Sequence, residues 1–370
     1  MVGSAAFQVA QSAHGSHLHT FRTNKIQVCR VQSTWAPNRA RSRKWGLCVM
    51  NGRVVTASSA APSSSTSSLS LIEKLVPADA VREIEEPAAR EMLASLKQVT
   101  LTLPRTAQQV ETTFIDQGAE LVQPLPPVLL IPGFDSSILE YRRLVPLLVE
   151  AGFRVLAVDL VGLGFTSREP GLDFGPLGRR EHLEAFVKQY VKQPVIACGA
   201  SLGGAAAIDF AVNCAEWVRA MVLIDAQGFI EGAPKLFWPL DQLGIAVLKT
   251  KPLRNMANQM SYTDKTRFAT EDALRIGRLH CFARNWELAS VEFLRSGGYR
   301  VSSLIGQVKQ PVLILWGEDD QILELKYVDQ FKQALTQAES LRVHILPECG
   351  HVPHLEKPQL TARYFSQFFD

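Results

Sequence analysis

Residues 198–204, which read Cys-Gly-Ala-Ser-Leu-Gly-Gly, contain a serine in a setting suited to nucleophilic chemistry. A short apolar run precedes this stretch and a run of small residues follows it, which predicts a strand, a sharp turn and a helix. Gly199 and Gly203 allow neighbouring backbone to approach the turn closely. The N–H groups of the helix that follows can face a developing negative charge. The pattern predicts that Ser201 is a nucleophile, with a glycine-rich packing turn as the alternative.

A serine hydroxyl needs a general base before it attacks a carbonyl carbon, and histidine is the usual one. Three of the eight histidines lie before residue 20, and three others fall in a predicted helix, an inserted region and a strand: His182, His280 and His344. His351 follows a glycine directly after the last predicted strand, where a loop can carry it over Ser201. We therefore predict that His351 is the base and interpret His354 as structural.

Four separated motifs resemble those of the α/β-hydrolase superfamily, in that family's order, from about residue 97 to the C-terminus. Residues 132–135, Pro-Gly-Phe-Asp, follow the third predicted strand, where the family carries its oxyanion loop, and residues 159–166 match its D-x-x-G-x-G-x-S/T turn. The serine turn is the third motif. The fourth is the pair Trp-Gly-Glu-Asp-Asp at 316–320 and Gly-His-Val-Pro-His at 350–354. The order Ser…Asp…His is the one that this fold uses.

The resemblance implies an acid that orients His351. The family's Gly-x-x-Asp pattern, counted from Gly317, gives Asp320. Asp319 is interpreted as an exposed acid or a cap, and Asp225, after the sixth predicted strand, is the second choice because some relatives place their acid there.

The resemblance also implies an oxyanion hole made of the backbone N–H groups of Leu202 and Phe134. Asp159 is predicted to be structural, because its carboxylate can accept hydrogen bonds from its own glycine-rich turn. No cofactor and no metal ion are expected. Four cysteines after residue 57 lack metal or disulfide spacing, and Cys198 and Cys349 are interpreted as small buried residues.

Alternating strands and helices predict an α/β-hydrolase fold, with a mostly parallel central sheet flanked by helices and a helical lid inserted after the sixth strand. Short helices are predicted over 78–97, with a break at Pro87, then a hairpin from 97–104 and 110–116. Further helices are expected near 137–151 and, in the lid, over 238–248, 270–284 and 287–295. The predicted domains are a transit peptide (1–57), a linker with short helices (58–96), the first core part (97–226), the lid (227–303) and the second core part (304–370).

The N-terminal 57 residues contain eight of the 39 basic residues and none of the 36 acidic ones, so the remainder carries a net charge of −5. An arginine- and serine-rich start without acids is typical of an organelle transit peptide. The serine-rich stretch after Ala57 favours a chloroplast, and a mitochondrion is the competing destination. The mildly acidic remainder gives no basic surface for nucleic acid.

A serine nucleophile excludes the dehalogenases and epoxide hydrolases of this superfamily, which need an aspartate. The remaining chemistry is cleavage of an ester, thioester or amide, or hydrolysis of a C–C bond. Family members with a similar loop include plastid enzymes that cleave phytyl esters of chlorophyll pigments. Aromatic residues of the lid favour a lipophilic small-molecule substrate, or else only pack the lid on the core: Phe229, Phe237, Trp238, Trp286 and Phe293. Peripheral contact with a membrane surface is the alternative role of the short helices over 78–97. A small-molecule receptor that keeps the triad is the alternative function.

We predict that residues 1–57 direct a fused fluorescent reporter into plastids, with cleavage near Ala57, because this segment is basic and free of acids. Microscopy in plant cells, with N-terminal sequencing of the processed reporter, measures both outcomes. A reporter that stays in the cytosol or enters only mitochondria contradicts this prediction.

Overall fold

The computed structural model of the chain describes residues 70–120, 125–232 and 240–369. The predicted transit peptide, the first part of the linker, Phe237 and Trp238 lie outside the described residues. Three short helices come first, at Leu71–Leu75 (α1), Ala78–Arg82 (α2) and Pro87–Ala94 (α3). Pro87 begins α3, as expected for a residue without an N–H group, and this explains the break between the helices.

In the described part of the chain, eight strands form a single sheet in the order β1-β2-β4-β3-β5-β6-β7-β8. The first two strands form the predicted antiparallel hairpin, β2 also runs antiparallel to β4, and all other neighbours are parallel. Their bounds are β1 Lys97–Thr102, β2 Gln109–Gln117, β3 Val128–Ile131, β4 Val155–Val158, β5 Val195–Ala200, β6 Val218–Ile224, β7 Val312–Gly317 and β8 Leu341–Leu346. The mostly parallel sheet of the sequence prediction is confirmed.

The central strands are continuous apolar runs because helices cover both faces of the sheet. Every residue of β3, β4, β5 and β7 is buried. The helices of the core are α4 Val145–Glu150, α5 Pro176–Phe186, α6 Leu202–Asn213, α13 Lys326–Ala334, α14 Pro353–Glu356 and α15 Pro358–Phe369. This double cover fixes the carboxyl ends of the parallel strands, where the predicted site residues lie.

The single helix predicted near 137–151 is divided into two pieces. A 3₁₀ turn spans Ile138–Tyr141, and α4 begins at Val145 with Pro146 in its first turn. Proline fits the first turn of a helix but cannot continue an earlier one, so the chain restarts there.

Helices α7 Leu240–Leu248, α8 Lys251–Ser261, α9 Lys265–Phe268, α10 Glu271–Arg278 and α11 Trp286–Arg295 lie between β6 and β7, followed by α12 Ser302–Ile305. We call α7 to α11 the insert helices. The sequence did not predict α8, because its buried face consists of Arg254, Ala257 and Ser261 rather than large apolar residues. Among the described helices, none is long and apolar enough to cross a membrane.

The insert helices contact loops at the carboxyl edge of the sheet. The N–H of His351, after β8, donates to the carbonyl oxygen of Ser261 at 2.9 Å. The ring of Phe134, after β3, lies 5.8 Å from that of Phe293. The insert therefore covers the edge to which the parallel strands bring their site residues.

Candidate active site

The turn that carries Ser201 has a backbone conformation that only its surroundings can hold. Ser201 has φ +51° and ψ −121° and lies between β5 and α6. A Cβ atom on Gly199 would lie 2.1 Å from the carbonyl oxygen of Gly203, and one on Gly203 would lie 2.1 Å from that of Ile131. Both glycines are thus required for close backbone approach, as the sequence predicted.

The hydrogen bond predicted between His351 and Asp320 is present. Nδ1 of His351 donates to Oδ2 of Asp320 at 2.7 Å, and both side chains are buried. The other carboxylate oxygen of Asp320 accepts the N–H groups of Ile322 at 2.7 Å and Leu323 at 2.9 Å. With its proton on Nδ1, the ring keeps Nε2 as an acceptor, and this buried atom has no hydrogen-bond partner within the described ranges.

The two alternative acids take other positions. Asp319 is exposed and accepts a hydrogen bond from the hydroxyl of Thr263 at 3.2 Å. Asp225 is fully buried, lies within 4.8 Å of both Asp320 and His351, and accepts the N–H of Gly317 at 2.9 Å. Burial, and then the charge of Asp320, raise the pKa of Asp225 well above its ordinary value. Asp320, and not Asp225, accepts the hydrogen bond from the histidine.

Ser201 and His351 line one narrow cavity, together with Phe134 and His354. Its volume is about 10 Å³, close to the room that one water molecule needs. Leu202 begins α6, so its N–H belongs to the first helical turn, which has no intrahelical acceptor. The structure therefore brings the predicted nucleophile and base to the same space and places the two predicted oxyanion residues beside it.

Glu140 also lines this cavity, and no feature of the sequence singled it out. Its two carboxyl oxygens accept the N–H of Gly133 at 3.1 and 3.3 Å. Burial raises the pKa of Glu140 from 4.5 to about 7. The neighbouring Tyr141 hydroxyl donates to the carbonyl of Ile131 at 2.7 Å and accepts the N–H of Ala200 at 3.1 Å, which joins the oxyanion loop to the serine turn.

The remaining polar residues singled out in the sequence have structural surroundings. Asp159 accepts the N–H groups of Phe165 and Ile138, both at 2.8 Å, as predicted for the first of these. His182 is buried against the Thr112 hydroxyl, 2.7 Å from Nε2. Burial lowers the pKa of His354 to about 3, so this histidine is neutral. Cys198 and Cys349 are buried and carry free thiols.

Among the residues that the structure describes, two groups of side chains have the residue types of metal ligands. One is Asp225, Asp320 and His351, and the other is Asp135, His280 and Cys281. In the first group the His351–Asp320 hydrogen bond occupies the facing atoms. In the second, the guanidinium of Arg254 pairs with Asp135, and this positive charge would repel a cation. Neither group argues for a metal centre.

A family model described as "Alpha/beta hydrolase family" matches residues 128–364, from β3 into α15. The match contains the serine turn, Asp320 and His351. The chain belongs to the alpha/beta hydrolase family.

This hydrolase is 36% identical over 249 residues to the alpha/beta hydrolase domain-containing protein VTE7 of Arabidopsis thaliana, covering 65% of this chain and 73% of VTE7. It is 27% identical over 259 residues to Lipase 1 of Psychrobacter immobilis, with 65% and 76% of the two chains covered. A crystal structure of a serine hydrolase involved in carbazole degradation matches the fold with a TM-score of 0.58, at 23% identity over 74% of this chain and 98% of the other. The predicted family and fold are confirmed.

We expect Asp320→Asn to lower kcat for a p-nitrophenyl ester by about 10⁴-fold, because an amide cannot stabilise the imidazolium that forms on His351. Asp319→Asn is the matched control: it changes an exposed neighbour and should keep kcat within about twofold of wild type. Steady-state kinetics on folded variants measures both. Equal losses in the two variants contradict the assignment, and a loss that appears only after Asp225→Asn would transfer the role to Asp225.

Glu140→Gln should remove a pH dependence of folding stability. The folded-state pKa of about 7 exceeds the unfolded value of 4.5, so Glu140 stabilises the fold at low pH and this stabilisation is lost as the pH rises through 7. Relative to the variant, wild type should lose about 3 kcal/mol between about pH 4.5 and pH 8. Urea unfolding at both pH values measures this, with exposed Glu339→Gln as control. Parallel pH profiles for wild type and Glu140→Gln contradict the prediction.

Proposed function

We propose that this hydrolase cleaves a lipophilic carboxylic ester through Ser201, His351 and Asp320. The observation that carries the proposal is the cavity shared by Ser201 and His351, with the far side of the His351 ring hydrogen-bonded to Asp320 at 2.7 Å. A binding pocket has no need for a strained serine turn together with a buried imidazole oriented by a carboxylate. The similarity to Lipase 1 supports ester chemistry.

In the proposed reaction, Oγ of Ser201 attacks the ester carbonyl carbon while Nε2 of His351 accepts the hydroxyl proton. The backbone N–H groups of Leu202 and Phe134 stabilise the negative charge that develops on the carbonyl oxygen. The alcohol leaves with the proton from His351, and an acyl group stays on Ser201. Water then attacks the acyl-enzyme and gives a proton to His351. His351 returns this proton to Oγ of Ser201 as the bond to the acyl group breaks and the carboxylic acid is released.

Two features support a lipophilic substrate. The cavity wall includes Phe134 and Val352, and Phe134 also packs on an apolar cluster of the insert that contains Ile245 and Trp286. An ester larger than the present cavity requires the insert helices to move apart from the loop. Phe229 gives no such support, because its ring packs on that of Phe331 in α13 with the centroids 4.9 Å apart.

We propose a plastid as the place of this reaction. The support is the acid-free N-terminal segment and the similarity to a plant protein.

Ser201→Ala should abolish release of p-nitrophenol from p-nitrophenyl esters, with a loss of about 10⁴- to 10⁶-fold in kcat. The substitution removes only a hydroxyl, so the melting temperature should stay within a few degrees of wild type. A fluorophosphonate probe should label wild type but not Ser201→Ala, which identifies the nucleophile directly by mass spectrometry.

Turnover by Ser201→Ala would contradict the mechanism. A wild type that binds a lipophilic ligand saturably but turns over no ester supports the receptor function instead. Cleavage of a vinylogous diketone with no ester turnover supports C–C bond hydrolysis. Esters of increasing acyl and alcohol length, including phytyl esters, then define the preferred substrate through kcat/KM.

A further inference from the structure

Asp135 connects the oxyanion loop to three segments of the insert. Its Oδ2 accepts a hydrogen bond from the guanidinium of Arg254 in α8. Its Oδ1 lies 3.0 Å from Nε2 of His280, in the 3₁₀ turn after α10, and accepts the indole N–H of Trp286 in α11 at 3.0 Å. The carboxylate is 5% exposed, so these contacts replace its hydration.

The backbone of Asp135 is held in a conformation that a non-glycine residue rarely adopts. Its φ is +50°, in the left-handed region, where a non-glycine residue persists only when surrounding contacts hold it there. Asp135 directly follows Phe134, whose N–H is a proposed oxyanion donor. A side chain clamped at this point fixes the Phe134–Asp135 peptide group, which adjoins the Gly133–Phe134 peptide group that carries the Phe134 N–H.

The other end of the same loop is fixed independently of the insert. The N–H of Gly133 donates to Glu140, and the Tyr141 hydroxyl holds the carbonyl of Ile131. Phe134 therefore lies between one anchor in the core and one anchor in the insert. Only the second anchor can change when the insert helices move.

A contribution to stability alone does not explain this arrangement well. A buried ion pair such as Asp135–Arg254 is often neutral for stability when compared with apolar residues of the same volume. Burial by itself would raise the pKa of Asp135, but the charge of Arg254 and the hydrogen bond with His280 hold it below its usual range. The carboxylate thus stays charged, and its two oxygen atoms hold contacts with all three insert segments.

We propose that Asp135 is a positioning residue that couples the closed insert to the geometry of the oxyanion hole. This inference rests on the proposed function, since it gives Asp135 a positioning role in the same active site. When the insert is closed, Arg254, His280 and Trp286 hold the Asp135 carboxylate and the Phe134 N–H faces the cavity. When the insert opens for substrate, the loop loses this anchor, so the hole is complete only around an enclosed substrate.

Misplacing an oxyanion donor affects the transition state more than substrate binding. Asp135→Asn should lower kcat by about 10- to 100-fold, with KM within about threefold of wild type. Affinity for an alkylboronic acid, which forms a tetrahedral adduct with Ser201, should fall by the same factor as kcat.

Asp135→Asn also leaves Arg254 buried without its counter-charge, so a second variant separates folding from positioning. Asp135→Asn/Arg254→Met removes the charge pair and should restore the melting temperature while kcat stays low. A milder variant, Trp286→Phe, removes one donor and should lower kcat by about 5-fold, with little change in melting temperature.

Matched controls lie away from the site. Asp116 is a buried aspartate in β2, 4% exposed, that pairs with Arg154 at 2.9 Å and accepts the Tyr190 hydroxyl at 2.9 Å. Asp116→Asn removes a comparable pair and should destabilise without lowering kcat. Trp217→Phe is the control for Trp286→Phe, because the buried Trp217 indole N–H has no hydrogen-bond partner in the described part of the chain.

Hydrogen exchange provides a readout that does not need activity. In Asp135→Asn, exchange should increase together at residues 134 and 135 and in α8, while the Gly133 N–H, held by Glu140, keeps its protection. None of these should change in Asp116→Asn. The inference is overturned if the double variant regains wild-type kcat along with stability, or if α8 loosens while the loop keeps its protection. A wild type without esterase activity would remove the proposed function, yet the exchange data would still decide whether Asp135 couples the loop to the insert.

Discussion

The close contact of backbone segments beneath Ser201 is the constraint on which the rest of the structure depends. The turn brings Gly203 so near to the carbonyl of Ile131 that no side chain fits, and Ser201 takes a positive φ as a result. This requires β3 and β5 to be neighbours in a rigid sheet, which their burial on both faces secures. Neighbouring parallel strands then present the oxyanion loop and the serine turn at one edge.

The same edge concentrates buried carboxyl groups, and each one avoids an unpaired charge in a different way. Asp135 is paired with Arg254, while burial raises the pKa of Glu140 and of Asp159 to about 7. Burial, and then the charge of Asp320, raise the pKa of Asp225. Asp320 is hydrogen-bonded to His351, so its charge acts on the imidazole that shares a cavity with Ser201.

The insert contributes to this edge by more than covering it. The carbonyl of Ser261 fixes the backbone of His351, and three insert side chains reach Asp135. The loop that carries the base and the loop after β3 therefore both depend on insert contacts. Because the same insert contacts hold both loops, closing the insert over a substrate also fixes the loops that carry the base and the proposed oxyanion donor.

The sequence by itself predicted the succession of strands along the chain, the serine turn and His351, because each is marked by a few adjacent residues, and it predicted Asp320 through the resemblance to a family pattern. It did not determine α8, Glu140 or the role of Asp135. The partners of Asp135 lie 119, 145 and 151 residues away, and α8 turns an arginine, an alanine and a serine toward the core. Local periodicity contains no information on such pairings. Only tertiary packing decided which charged side chains are buried. A buried charge requires a counter-charge or a hydrogen-bond partner, so packing also decided these pairings.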